Sequence, residues 1–465
     1  VGAPAPVGDD RLVVAHGLGG AQDLPIPPEL AIVGATAALA VSFTVLAVAW
    51  RRPRYADPAA GRPAPAWLQR LVESTAFTWL ARLVGLFFFG WAAFAAVLGQ
   101  DLLTNPFFGM VYVLLWVGLV PASLLLGPFW KAISPVRTVN LAFAKLAGSD
   151  PDTGLRRYPE RLGYWPAALG LFAFVWLELV YPYSTELGPV RLWFALYVAA
   201  MLVGGAVFGS TFYARADPFE VYSTMVARMS VWGWRDRTGA SGIAAADGRD
   251  GTARELVVRS PLANLDRTPP RPGLVAVVAV LFGSTAYDSF RDASAWLQLT
   301  QSLDRTLAIA LNNLVLLAFC VVVGALLAAA TAAYPAEGHP RRALPGLFAH
   351  SVVPIIVGYV VAHYLSYLVQ TGQQTVILMS DPLSNGSDLL GTGDWSVNYW
   401  LAYHPTFLAV TKVLAVVVGH VLGVVAAHER SIQVLPRRHQ LTGQLPLLVV
   451  MVAFTAGGLY LLFAA

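Results

Sequence analysis

Ten times along the chain, an apolar stretch close to 20 residues recurs, the length of helix that crosses about 30 Å of hydrocarbon. The stretches are 30–50, 77–99, 108–128, 163–182, 191–212, 273–289, 306–334, 346–369, 405–429 and 444–463. Only 12% of the 465 residues are charged and the mean hydropathy is +0.60. A soluble domain carries about 25% charged residues, so the expected fold is all-α, a polytopic helix bundle in a lipid bilayer. Most of the 41 glycines and 31 prolines lie between and within the apolar stretches. Membrane helices tolerate them there, because neighbours re-satisfy the freed backbone groups.

With the N-terminus outside, the inside loops are 51–76, 129–162, 213–272, 335–345 and 430–443. They carry 25 of the 31 lysines and arginines. By the positive-inside rule both termini are expected outside. The net charge of +4 is then a matter of topology and calls for no nucleic-acid partner. No charged n-region with an apolar h-region precedes residue 30, so the first stretch is expected to insert as an anchor, or the chain to lack an upstream piece. The division that follows is an outer tail 1–29, a five-helix half 30–212, a basic loop 213–272 and a second half 273–465 with an outer loop 370–404. In the basic loop, DPFEVYSTMVARMSVWGW (217–234) suggests a helix lying in the interface, and GASGIAAADGRDG (239–251) a flexible connector. The lone Cys320 excludes a disulfide framework and any CxxC metal site.

Ionisable residues at membrane depth cost roughly 3 kcal/mol each on insertion scales and mark functional sites by default. Counting about 1.5 Å per residue from the nearer face puts Glu178, Asp288, Asn312, Asn313, His363 and Lys412 in the outer half of the bundle. The outer loop above them brings Asp381, Asp388, Asp394 and His404 with no lysine or arginine. Two accounts stay open. Glu178 can pair with Lys412 while the asparagines bond between helices, or the group can line a site. In a catalytic site Glu178 or Asp381 would act as base and His363 as ligand, with a divalent metal held by His363, His404 and Asp388 and one position left for water. No HExxH or GxSxG motif is present, and a serine partner for His363 would come from Ser366, Ser380 or Ser384. At the inner face, His350 and His428 are level with each other and could ligate one haem. His420 lies too far below His363, and His404 too far above it, for a second.

Three blocks are distinctive: HGLGGAQDLPIPPEL, YPERLGYWPAALGLFAFVWLELVYP and AHYLSYLVQTGQQ followed by LMSDPLSNGSDLLGT. Together they resemble a family of bacterial polytopic membrane proteins identified as fenitrothion hydrolases. The resemblance runs in blocks from about residue 16 to residue 430, and the chain departs from it at LSNGSD. It implies a plasma-membrane protein that hydrolyses small apolar phosphotriesters. The residues alone also admit a permease for a small solute or ion, and a haem- or copper-binding redox or assembly subunit of a membrane complex.

Overall fold

The computed structural model describes residues 20–236, 254–333 and 335–464. The connector at 239–251 and the first part of the N-terminal tail lie outside the described residues. Among the described residues nine helices are long and apolar enough to cross a membrane. A tenth span is made if the bent pair Pro106–Val117 and Leu119–Leu126 is taken as one, with 41° between its parts. The bend has a local cause: residues 110–117 are wound as a π-helix, Gly118 follows, and Pro121 has no N–H to continue the ladder.

The helices used below are α1 (Pro28–Ala49), α2 (Thr75–Leu98), α3 (Trp165–Leu179), α4 (Leu187–Phe208), α5 (Pro218–Ala227), α6 (Leu274–Arg291), α7 (Arg305–Ala332), α8 (Val353–Leu378), α9 (Pro405–Val434) and α10 (Leu445–Ala464). The most extensive helix contact joins α8 and α9. Its cause is a row of small residues at four-residue spacing, Ala415, Gly419 and Gly423, facing Ser351, Pro354 and Gly358. A Cβ on Gly358 would come 2.3 Å from the Ala415 carbonyl oxygen, and one on Gly419 would come 2.6 Å from that of Pro354. The two backbones therefore touch, the approach that small-residue seams permit where lipid supplies no hydrophobic drive between helices. This contact fixes the helix that carries His363.

The segment after α4 departs from expectation. Gly209, with φ of +66°, turns the chain back, and α5 follows with nine of its ten residues buried. Phe219 packs against Phe174, Trp193, Phe194 and Tyr197, so α5 is threaded into the bundle and is no interfacial helix. Its polar groups are matched from within. Asp217 accepts from the Phe219 N–H, Trp130 Nε1 and Tyr197 OH at 3.0, 3.0 and 3.1 Å. Glu220 takes a two-pronged bond from Arg137 at 2.6 and 2.7 Å. Such pairing is what allows a charge to be buried.

On the face that carries the basic loops, a small antiparallel sheet joins β1 (Arg62–Pro63), β2 (Trp232–Asp236) and β3 (Arg254–Val258) in the order β1-β3-β2. Arg235 and Glu255 stand directly opposite each other in register and form an ion pair at 2.6 Å. This sheet was not expected from the sequence.

Candidate functional site

The last turn of α6 places Asp288, Ser289 and Arg291 beside the middle of α8, where Tyr359, His363, Tyr364 and Tyr367 lie. Residues 359, 363 and 367 are four apart and share one helix face. His363 is held at both ring nitrogens: Nε2 is 3.0 Å from Asp288 Oδ2 and Nδ1 is 3.1 Å from Ser289 Oγ. With Asp288 ionised, and so only accepting, Nε2 carries the proton and Nδ1 is left to accept from the Ser289 hydroxyl, which also lies 3.5 Å from the Thr285 carbonyl. Ser289 Oγ in turn accepts from Tyr359 OH at 2.9 Å. Tyr364 OH donates to the same Asp288 oxygen at 2.6 Å. The result is one chain of hydrogen bonds, Tyr359–Ser289–His363–Asp288–Tyr364, with every member buried.

Asp288 is 2% exposed, a charge that needs compensation to remain in the bundle. Arg291 supplies it, with Nε 3.5 Å from Asp288 Oδ1, while Arg291 Nη1 is fixed by the Leu179 carbonyl at 2.7 Å. Glu178 completes the group from α3. Its Oε2 is buried and has no hydrogen-bond partner, and Asp288 and Arg291 are the charges that act on it. Its own field reaches Tyr112, Tyr222, Tyr364 and Tyr367. A buried carboxylate oxygen with no hydrogen-bond partner is an acceptor still open to a donor.

Next to this chain lies a half-open groove of about 320 Å³ between α6, α7, α8 and α10, with Phe282, Phe319, Tyr359, Phe454, Gly457 and Gly458 in its wall. The wall is apolar apart from Tyr359, which is also the first member of the hydrogen-bonded chain. One side chain therefore belongs to both the apolar groove and the polar array.

The remaining polar residues sort differently from expectation. Asn312 Oδ1 accepts from Tyr287 OH at 2.8 Å and Trp296 Nε1 at 3.1 Å, and Asn313 Oδ1 from Trp176 Nε1 at 2.6 Å. Both asparagines thus tie α7 to its neighbours, as the interhelical reading holds. The ion pairs of the described residues include none between Glu178 and Lys412. Lys412 is buried on α9, where Asp23 is the carboxylate acting on it.

The structure does not assemble the expected metal ligands. No group of three or more His, Cys, Asp or Glu able to hold a metal occurs among the described residues. His404 is at the exposed start of α9, stacked on Trp400 with its Nδ1 2.8 Å from the Trp400 carbonyl. Asp381 accepts from the Asn385 and Gly386 N–H groups and the Ser387 hydroxyl at 3.0, 2.8 and 3.0 Å. Burial is the largest single influence and opposes its ionisation, but those donors together outweigh it and hold the carboxyl below the usual carboxylate range. Asp388 is held low by the Ser380 hydroxyl and the Gly393 N–H. Both aspartates accept from groups of the outer loop and organise it.

Of the histidines proposed for haem, His428 has Nδ1 3.0 Å from Gln444 Oε1 and Nε2 2.8 Å from the Trp50 carbonyl. With both nitrogens so engaged it offers no lone pair to an iron. His350 and His420 each bond a backbone carbonyl through Nδ1 at 2.9 Å, to Leu347 and Val416, and bury an unpartnered Nε2. The hydroxyl that meets His363 is Ser289, and not Ser366, Ser380 or Ser384. Its signal in the sequence was adjacency to Asp288 at the polar end of a span, and that of Tyr359 was its four-residue spacing from His363. Comparison with protein-family models, with curated proteins and with solved structures finds no match to this chain.

Proposed function

We propose that this protein is a proton-coupled permease for a small apolar solute, working in the plasma membrane of a bacterium with its basic loops toward the cytoplasm. The observation that carries the reading is Tyr359, which lines the apolar groove and begins the hydrogen-bonded chain to Asp288. An imidazole that accepts on one nitrogen while donating from the other is a proton shuttle. In the relay Tyr359 gives its hydroxyl proton to Ser289 and takes one from water entering on the open side of the groove. Ser289 passes its own proton to His363 Nδ1, and the Nε2 proton moves to Asp288, so that Tyr359, Ser289 and His363 all end neutral. Arg291 balances the carboxylate before it is protonated, and Glu178, whose charge interacts with both, has an open oxygen. Solute in the groove alters the packing around Tyr359, and this contact links occupancy to the relay.

A second reading is ester hydrolysis, as the fenitrothion hydrolase resemblance implies. It is favoured by the order hydroxyl–imidazole–carboxylate in Ser289, His363 and Asp288, the arrangement by which a serine is activated. Against it, Ser289 is buried within a helix and its oxygen is already engaged by Tyr359.

The two are separated in vesicles that contain the purified protein and an internal pH-sensitive dye, challenged with fenitrothion and with other small apolar solutes. A permease moves protons on addition of solute without forming product. A hydrolase releases the nitrophenol, read by its colour. Protein-free vesicles set the baseline for both.

A further inference from the structure

Arg259, directly after β3, is 6% exposed. Its Nη2 donates to the Trp234 carbonyl at 2.7 Å, and its guanidinium is set against Gly233, where a Cβ would come 2.4 Å from Nε. Its Nε and Nη1 are buried with no hydrogen-bond partner among the described residues. A guanidinium has five N–H donors and no acceptor, so these open donors can be answered only by an acceptor that enters the site.

The surroundings say which sign that acceptor has. The charges acting on Arg259 are all guanidiniums, those of Arg267, Arg235 and Arg228. Burial first, and then these three, push Arg259 down to about 10, so it stays charged at neutral pH. Arg235 is answered by Glu255 at 2.6 Å, and Arg267 Nη2 is anchored on the Asp57 and Pro58 carbonyls at 2.7 and 2.8 Å, with the Asp57 and Asp266 carboxylates also acting on it. Arg259 has no such carboxylate. A buried cation with open donors among like charges is the complement of an anion. A phosphate group carries several acceptor oxygens on one centre and can answer an open N–H of Arg259 together with N–H groups of the guanidiniums around it.

We propose that Arg259, with Arg228, Arg235 and Arg267 around it, forms a binding site for a phosphate group at the three-stranded sheet. The phosphate comes either from the headgroup of an anionic lipid, since basic segments next to a membrane attract such lipids, or from free phosphate.

The test uses the full chain, delipidated in detergent for titration with inorganic phosphate, and reconstituted in nanodiscs of phosphatidylcholine with or without phosphatidylglycerol. Binding is read as a rise in unfolding temperature and as lipid retained in native mass spectrometry. Wild type gains stability with phosphatidylglycerol over phosphatidylcholine if the source is lipid, and with phosphate over chloride if it is the free anion. Arg259→Gln weakens whichever binding is seen at least tenfold, Arg267→Gln weakens it less, and the exposed Arg70→Gln leaves it unchanged. Should Arg259→Gln fail to fold, Arg267→Gln against Arg70→Gln decides. The proposal is overturned if neither phosphate nor phosphatidylglycerol exceeds its control, or if the Arg259 and Arg267 variants bind as wild type does.

Discussion

His363 Nε2 lies 3.0 Å from Asp288 Oδ2, across the contact between α6 and α8 and 75 residues away in sequence. The pair is buried on both sides, and removing the carboxylate leaves the His363 N–H and the Tyr364 hydroxyl without their acceptor, at about 1–3 kcal/mol for each buried donor. Asp288→Ala is therefore expected to lower the unfolding temperature sharply in detergent. Asp288→Asn, which keeps the shape and can still accept from Tyr364, is expected to lower it less and to abolish proton movement.

Tyr359→Phe deletes one hydroxyl and keeps the ring that lines the groove. The net loss of a hydrogen bond is about 1 kcal/mol, so the variant is expected to fold. It is expected to retain solute binding, measured by displacement of a fluorescent apolar probe, while proton flux falls at least tenfold.

Gly419→Leu is expected to unfold the bundle at a lower temperature with no change in any ionisable group. Even a Cβ at this position would stand 2.6 Å from the Pro354 carbonyl. Overpacking typically costs about 1–3 kcal/mol. Differential scanning of the purified protein checks it, with Gly457→Ala, where a Cβ meets nothing within 4 Å, as the neutral comparison.

The outer loop is expected to be acid-labile. Asp381 and Asp388 are held below the usual carboxylate range in the folded chain. A group depressed in this way adds stability that is present above its unfolded value, about 3.9, and is lost as pH falls through the folded one. Amide exchange over residues 380–393 is expected to be slow at pH 7 and to accelerate, relative to the intrinsic rate, below about pH 4. The helices should show no such acceleration.

Much of the bundle was legible because hydrocarbon thickness sets the length of an apolar run, and each of the ten stretches overlaps a membrane-length helix or the bent pair, with ends that differ by several residues. The sheet was hidden because β1 has two residues and pairs with a strand near residue 257. Helix α5 read as interfacial because Asp217 and Glu220 look solvated, whereas Arg137, Trp130 and Tyr197 reach them from distant segments. At the site, depth along a span placed Asp288, Glu178 and His363 on one level, but azimuth decides partners. That is why Ser289 was missed, and why Lys412, at the same depth, was wrongly offered to Glu178.

The most direct test of the relay is the internal pH of vesicles holding wild type or His363→Gln protein, followed after a small apolar solute is added. Glutamine fills similar space but cannot accept on one side while passing a proton from the other. The account predicts solute-dependent proton flux in wild type and none above protein-free vesicles in His363→Gln, with both proteins binding the apolar probe equally. Equal proton flux in the two would contradict it.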